Sequence, residues 1–206
     1  MAITGRTPDD CFAQFLGHVS KLVANMLTQR YPMQCLRPPK GRRDTNKRTL
    51  SFVSDDDNAI PLVTREHGTL YLYLAQELWT EELARNSYKL RTIRYWYKLY
   101  AQSPSVDDDA IVRWEYAKVA PVHSTSCRHH VQFGKMVTPL PLGGSVFNFE
   151  HFHMPTGWVM LEEICRFLIC EFGVEPPCGD EWPRVLSEGE DAFYGGFTNR
   201  GGSGRS

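Results

Sequence analysis

The stretch Arg91-Thr-Ile-Arg-Tyr-Trp-Tyr-Lys-Leu-Tyr100 decides the fold, because it is dense in β-branched and aromatic residues that favour extended backbone. The same composition returns in Ala110-Ile-Val-Arg-Trp-Glu-Tyr116. Between these segments, residues 103–105 (Ser-Pro-Ser) and 107–109 (three aspartates) are typical of a turn-rich connection. The pattern therefore predicts an antiparallel hairpin with a long loop.

The segments around this hairpin predict a small antiparallel sheet flanked by an N-terminal and a C-terminal helix. Residues 128–133 predict a third strand. Apolar residues at steps of three and four predict amphipathic helices over 8–29 and 160–172. Together these elements predict one α+β domain over residues 1–179.

Three further segments complete the predicted organisation. Residues 71–86 combine alternating leucines with good helix formers, and we favour a helix there. Residues 139–145 predict a loop. Residues 180–206 are rich in glycine and lack periodicity, so they predict a mostly disordered tail.

Composition limits the class of protein. The chain has 206 residues, of which 42% are hydrophobic and 12% aromatic, and this excludes wholesale disorder. A net charge of −1 favours neither an acidic nor a basic partner. No apolar run is long enough to span a membrane, and no secretory signal is apparent, so we expect a cytoplasmic protein with no membrane partner and six reduced cysteines.

Residues 37–48 form a basic segment with prolines and a glycine, which predicts a loop. Its cations suit phosphate groups, and the candidate substrate-binding residues are Arg42, Arg43, Lys47 and Arg48. A solvated run of charges, without a ligand, is the alternative interpretation.

Histidines are concentrated between residues 123 and 153, where five of the seven occur. Imidazole moves protons near neutral pH and binds transition metals. His129 and His130 are therefore candidate acids or bases. His151 and His153 would share one face of a strand, which makes them candidate metal ligands, although no spacing matches a structural zinc site. Histidines without a functional role are the alternative, and the sequence leaves any cofactor open.

Ionic residues also alternate with apolar ones inside the second strand of the hairpin. Arg113 and Glu115 would share one face of this strand. If that face also presents His129 or His130, the combination suits phosphodiester chemistry, with Glu115 and histidine moving protons and Arg113 and Arg128 holding phosphate. A cross-strand salt bridge on an exposed sheet is the alternative.

The order of these features resembles small TumE-like toxins of bacterial toxin–antitoxin pairs. The resemblance covers residues 94–130: the aromatic strand Tyr95-Trp-Tyr-Lys-Leu-Tyr100, then Arg113-Trp-Glu-Tyr116, then Cys127-Arg-His-His130. Glu115-Tyr116 stands where that family has an Asp-Asn-like pair. The resemblance implies an RNA-acting toxin with an antitoxin partner.

The sequence thus favours an intracellular protein directed at nucleic acid, such as an RNA-acting toxin or defence component. It contains no phosphate-binding loop, no dinucleotide-binding glycine motif and no Gly-x-Ser-x-Gly elbow. One alternative is a protein-interaction module that uses the helices at 8–29 and 160–172. The other is a metal-dependent hydrolase built on His151 and His153.

Overall fold

The computed structural model describes residues 3–37, 46–54, 59–104, 110–118, 128–134, 140–142, 145–147 and 153–194. The strands are β1 (Thr4–Gly5), β2 (Met33–Leu36), β3 (Lys47–Phe52), β4 (Ala59–Val63), β5 (Thr69–Ala84), β6 (Ser87–Tyr100), β7 (Ala110–Ala117), β8 (His129–Phe133), β9 (Leu140–Leu142), β10 (Ser145–Phe147) and β11 (His153–Pro155). The helices are α1 (Pro8–Met26), α2 (Leu161–Phe172) and α3 (Trp182–Tyr194), with a short 3₁₀ turn at Gly179–Glu181.

The strands build one antiparallel sheet of nine strands, in the order β11-β8-β7-β6-β5-β3-β2. β1 also pairs with β6, and β4 with β5, while β9 and β10 form a separate two-stranded sheet. The α+β class and the flanking helices are confirmed. The predicted hairpin is confirmed as well, since Tyr97 lies opposite Trp114 in the pairing of β6 with β7.

The helix predicted over 71–86 is wrong, because residues 71–84 belong to the 16-residue strand β5. Leu70, Leu72 and Leu74 are buried on one side of that strand, as their alternation requires. β5 pairs with β3, β4 and β6, so tertiary pairing outweighs the helix propensity of its second half. A turn with Asn86 at a φ of 58° leads into β6.

Two further predictions, for residues 180–206 and 139–145, also need correction. Disorder does not begin at 180, because residues 182–194 form α3, in which Leu186 is fully buried. Trp182 and Val185 pack against the same core. Residues 195–206 lie outside the described part of the chain. Within the loop predicted at 139–145, residues 140–142 instead form β9, and Ser145 begins β10, with which β9 pairs.

The helices pack on one face of the sheet, and we call this the helix-covered face. α1 begins with a capping box, in which the Thr7 hydroxyl accepts from the Asp10 N–H at 3.1 Å and the Asp10 carboxylate accepts from the Thr7 N–H at 2.9 Å. The buried residues of α1 and α2 form one core with the inward side chains of β5, β6 and β7. Among the described helices, none is both long and apolar enough to cross a membrane.

Candidate functional site

The pairing of β7 with β8 separates the two candidate histidines. Glu115 lies opposite His130, and Tyr116 lies opposite His129. Because successive side chains of a strand point to opposite faces, His130 shares a face with Arg113 and Glu115. His129 shares the helix-covered face with Tyr116.

The opposite face of the sheet carries a group of polar side chains from four neighbouring strands. One row crosses the sheet from Lys98 of β6 through Arg113 and Gln132 to His153 of β11. The adjacent row contains Trp96, Glu115 and His130. We define the polar cluster as Lys98, Arg113, Glu115, His130 and His153.

His130 lies at the centre of the polar cluster. Its Nε2 is 3.7 Å from Oε2 of Glu115, and its ring centroid is 4.8 Å from that of His153. Of the two side chains in the ion pair, His130 is 10% exposed and Glu115 is 26% exposed. Imidazole and carboxylate groups are side chains that can move protons, and Arg113 and Lys98 add positive charge beside them. The structure therefore brings together Arg113, Glu115 and His130 as predicted, and adds Lys98 and His153.

His129 occupies an aromatic cluster and not the polar cluster. Its ring stacks on Tyr116 with centroids 4.3 Å apart, and it meets Trp158 edge-on at 5.6 Å. Its Nδ1 is buried without a hydrogen-bond partner among the residues of the structure. Burial lowers the pKa of His129, and the charges of Arg128 and His130 lower it further. The structure therefore places His129 as a packed ring, on the face of the sheet opposite to Arg113 and Glu115.

Arg128 directly precedes β8 and is exposed. Its backbone carbonyl accepts a hydrogen bond from Ala117 N–H at 3.1 Å. This contact places it beside the C-terminal end of β7, at the border of the polar cluster.

The basic segment is not a loop throughout, because its last two residues belong to a strand. Arg42 and Arg43 lie outside the described residues, whereas Lys47 and Arg48 belong to β3. Arg48 is only 5% exposed, its Nη2 lies 2.6 Å from Oδ1 of Asp9, and its guanidinium lies 4.7 Å from the ring centre of Phe12. This side chain joins β3 to α1 and is not exposed to solvent, as a phosphate contact would require. Lys47 is exposed at the start of β3.

Only one member of the predicted metal pair, His153, belongs to the described residues. His151 lies outside the described residues, and His153 instead faces His130 across β8 and β11. Within the described ranges, no three His, Cys, Asp or Glu side chains are grouped to hold a metal ion.

Sequence reasoning missed a second polar pair on the helix-covered face. His18 of α1 and Glu162 of α2 lie 3.2 Å apart, between Nε2 and Oε1. The two residues are 144 positions apart in the chain, so no local pattern could have indicated the contact.

The apolar stripes of both amphipathic helices are used within the molecule. Phe15, Val19 and Leu22 of α1 and Ile164 and Leu168 of α2 are buried in the core. They are therefore not free to bind a partner protein in this conformation.

Comparisons with known proteins do not identify a family for this chain. No protein-family model, no curated protein and no solved structure matches the chain. Its function must be inferred from the polar cluster itself.

Proposed function

We propose that this protein cleaves RNA at the polar cluster, using His130 and His153 as the acid–base pair. The observation that carries the proposal is the position of His130, 3.7 Å from the Glu115 carboxylate and 4.8 Å between ring centroids from His153. A carboxylate beside one imidazole can hold the orientation of the ring. A second imidazole at this distance can act as the acid while the first acts as the base, or the reverse.

The proposed step is the attack of an RNA 2′-hydroxyl on the adjacent phosphodiester. One imidazole accepts the 2′-hydroxyl proton while the 2′-oxygen bonds to phosphorus. The bond from phosphorus to the 5′-oxygen breaks, and the other imidazole donates its proton to that oxygen. The products are a 2′,3′-cyclic phosphate and a 5′-hydroxyl, and the imidazoles regain their starting protonation states by exchange with water.

Positive charge stabilises the phosphate in this step. Lys98 and Arg113 lie opposite each other on β6 and β7, in the row that leads to His153. A guanidinium can contact two phosphate oxygens at once, and both cations offset the negative charge that develops on the phosphorus oxygens.

Trp96 supports RNA as the substrate. It lies opposite Glu115 in the row that contains His130, and it is only partly buried. Aromatic side chains on a sheet surface stack bases of single strands without strict sequence preference. The resemblance to TumE-like toxins concerns residues 94–130, which include most of this surface. A toxin role within the cell belongs to the same proposal.

The test is cleavage of a labelled single-stranded RNA pool in the presence of a metal chelator. The wild type should yield 2′,3′-cyclic phosphate and 5′-hydroxyl ends. His130→Gln and His153→Gln should each lose at least about 100-fold in rate, as expected when an acid or base is removed. His129→Phe is the matched control, since it alters the neighbouring histidine on the other face and keeps an aromatic ring there.

Other outcomes would point to the alternatives. Loss of cleavage with the chelator alone would favour a metal-dependent hydrolase that uses His151 and His153. Cleavage of an all-2′-deoxy strand, or full activity in both glutamine variants, would refute the proposed chemistry. Absence of cleavage by the wild type would also refute it.

A further inference from the structure

A small cavity lies on the helix-covered face, away from the polar cluster. It has a volume of about 40 Å³ and lies between α1, the start of α2, and strands β5 and β6. The polar residues on its wall are His18, Gln76, Thr92, Tyr97 and Glu162. A cavity on the apolar side of a sheet does not ordinarily collect so many polar groups.

Gln76 supplies an unsatisfied acceptor to this cavity. The residue is 6% exposed, and its Nε2 donates a hydrogen bond to the Tyr97 hydroxyl. Its Oε1 is buried and has no hydrogen-bond partner in the described part of the chain. A buried carbonyl without a partner is costly, so a donor is expected in the adjoining space.

Tyr97 forms an uncharged part of the cavity wall. Burial raises the pKa of Tyr97 well above its usual value, so the phenol stays protonated. Its hydroxyl oxygen already accepts from Gln76.

Glu162 places a carboxylate in the same wall. The residue is 4% exposed, and Oε1 is held by His18 at the rim. The backbone of α3 approaches closely, since a Cβ added at Gly189 would lie 3.1 Å from Oε1. A carboxylate this deep in a protein is stabilised by each positive or donating group beside it.

Aromatic rings form the other walls. Phe15 and Tyr97 are buried, and Trp158, which is 38% exposed, lies at the rim. Aromatic faces combined with a carboxylate and a carbonyl oxygen are the surroundings that favour a substituted ammonium group.

We propose that this cavity binds an ammonium group, either that of a small free amine or the end of a longer one. Its N–H donors would satisfy Gln76 Oε1 and the Glu162 carboxylate together. A single water needs roughly 10–15 Å³ of such space, so the cavity holds only about three non-hydrogen atoms. Any longer amine must extend outward past His18 and Trp158. The site does not depend on the proposed RNA cleavage.

The experiment titrates the full chain with methylammonium chloride and follows the Trp158 indole and Gln76 side-chain amide resonances by NMR. We expect saturable shifts that neither sodium chloride nor methanol, the uncharged probe of equal size, produces. 1,4-Diaminobutane as a second probe separates the two sources: tighter binding than methylammonium indicates the end of a longer amine, and weaker binding a small free one.

Variants decide whether the named residues hold the amine. Glu162→Gln should weaken binding at least about tenfold, the loss expected for one hydrogen bond to a charged group. Glu171→Gln, on the exposed side of α2, is the control and should bind as the wild type. If Glu162→Gln does not fold, Gln76→Leu removes the other acceptor and should weaken binding in the same way. Equal shifts with methanol, no saturation, or wild-type binding in the variants would overturn the proposal and leave water as the occupant.

Discussion

His129 and His130 are neighbours in the chain but belong to different regions of the molecule. On the helix-covered face, His129 stacks on Tyr116 and has a lowered pKa. On the opposite face, His130 lies between Glu115 and His153. The same residue type is thus a packing element in one case and a candidate acid or base in the other.

The difference between the two faces shows that neighbours, and not residue type, set the chemistry of a side chain. On the helix-covered face, burial and the nearby positive charges disfavour protonation of the His129 ring. A ring beside a carboxylate and a second imidazole, as His130 is, can act as a general acid or base. Candidate sites on sheets should therefore be assigned one face at a time.

The largest expected difference between the faces is in stability. Leu74→Ala removes a fully buried side chain from the helix-covered side of β5 and should lower the free energy of unfolding by about 2–5 kcal/mol. Glu77→Ala, on the opposite side, removes a partly exposed group 3.9 Å from Arg94 and should cost no more than about 1 kcal/mol. Urea denaturation measures both. Equal losses would mean that the two faces of β5 are packed alike.

A smaller effect is expected at the buried cation of the helix-covered face. Asp9→Asn removes the Asp9 carboxylate from the buried Arg48 and should cost about 1.5–3 kcal/mol. Arg37→Ser breaks the exposed ion pair of the same carboxylate, 3.2 Å long, and should cost less than about 1 kcal/mol. Thermal and urea unfolding compare the two. Equal losses of unfolding free energy in the two variants would mean that the ion pair between Arg48 and Asp9 does not stabilise the packing of α1 against β3.

The smallest effect is a change in how stability depends on pH. The folded state lowers the pKa of His129, so the unfolded chain binds more protons in acid. Above the ordinary pKa of about 6.5 the ring is neutral in both the folded and the unfolded state, and the free energy of unfolding has its full value. As the pH falls from there toward the folded pKa, the free energy of unfolding decreases. In that window His129→Phe should reduce the slope of the unfolding free energy against pH, by at most about 1.4 kcal/mol per unit. An unchanged slope would show that the ring is already free to take up a proton.

The sequence predicts those elements whose signals are local. The β6–β7 hairpin and the helices α1 and α2 have clear periodicity, and all three are present. β5 was mistaken for a helix because only its partners β3, β4 and β6 decide its conformation. α3 was missed because the glycines of the tail obscured the apolar residues around Leu186.

The candidate site was predictable in part for the same reason. Period-two alternation places Arg113 with Glu115, but only the register of β8 against β7 shows which histidine joins them. The position of His153 beside His130 depends on β11, a strand of three residues with no pattern of its own. Contacts of this kind are set by tertiary structure and leave no trace in a local window.

The tight turn between β5 and β6 has a consequence for how the chain folds. Ala84 pairs with Ser87, so only two residues separate strands of 16 and 14 residues. Closing so short a loop costs little entropy, and hairpins of this kind form within about 1–10 μs. We expect this ribbon to form in the transition state for folding, with β3, β4 and β7 adding to its edges later. Destabilising changes in the β5–β6 ribbon should therefore slow folding, whereas those in β2 or β11 should mainly speed unfolding.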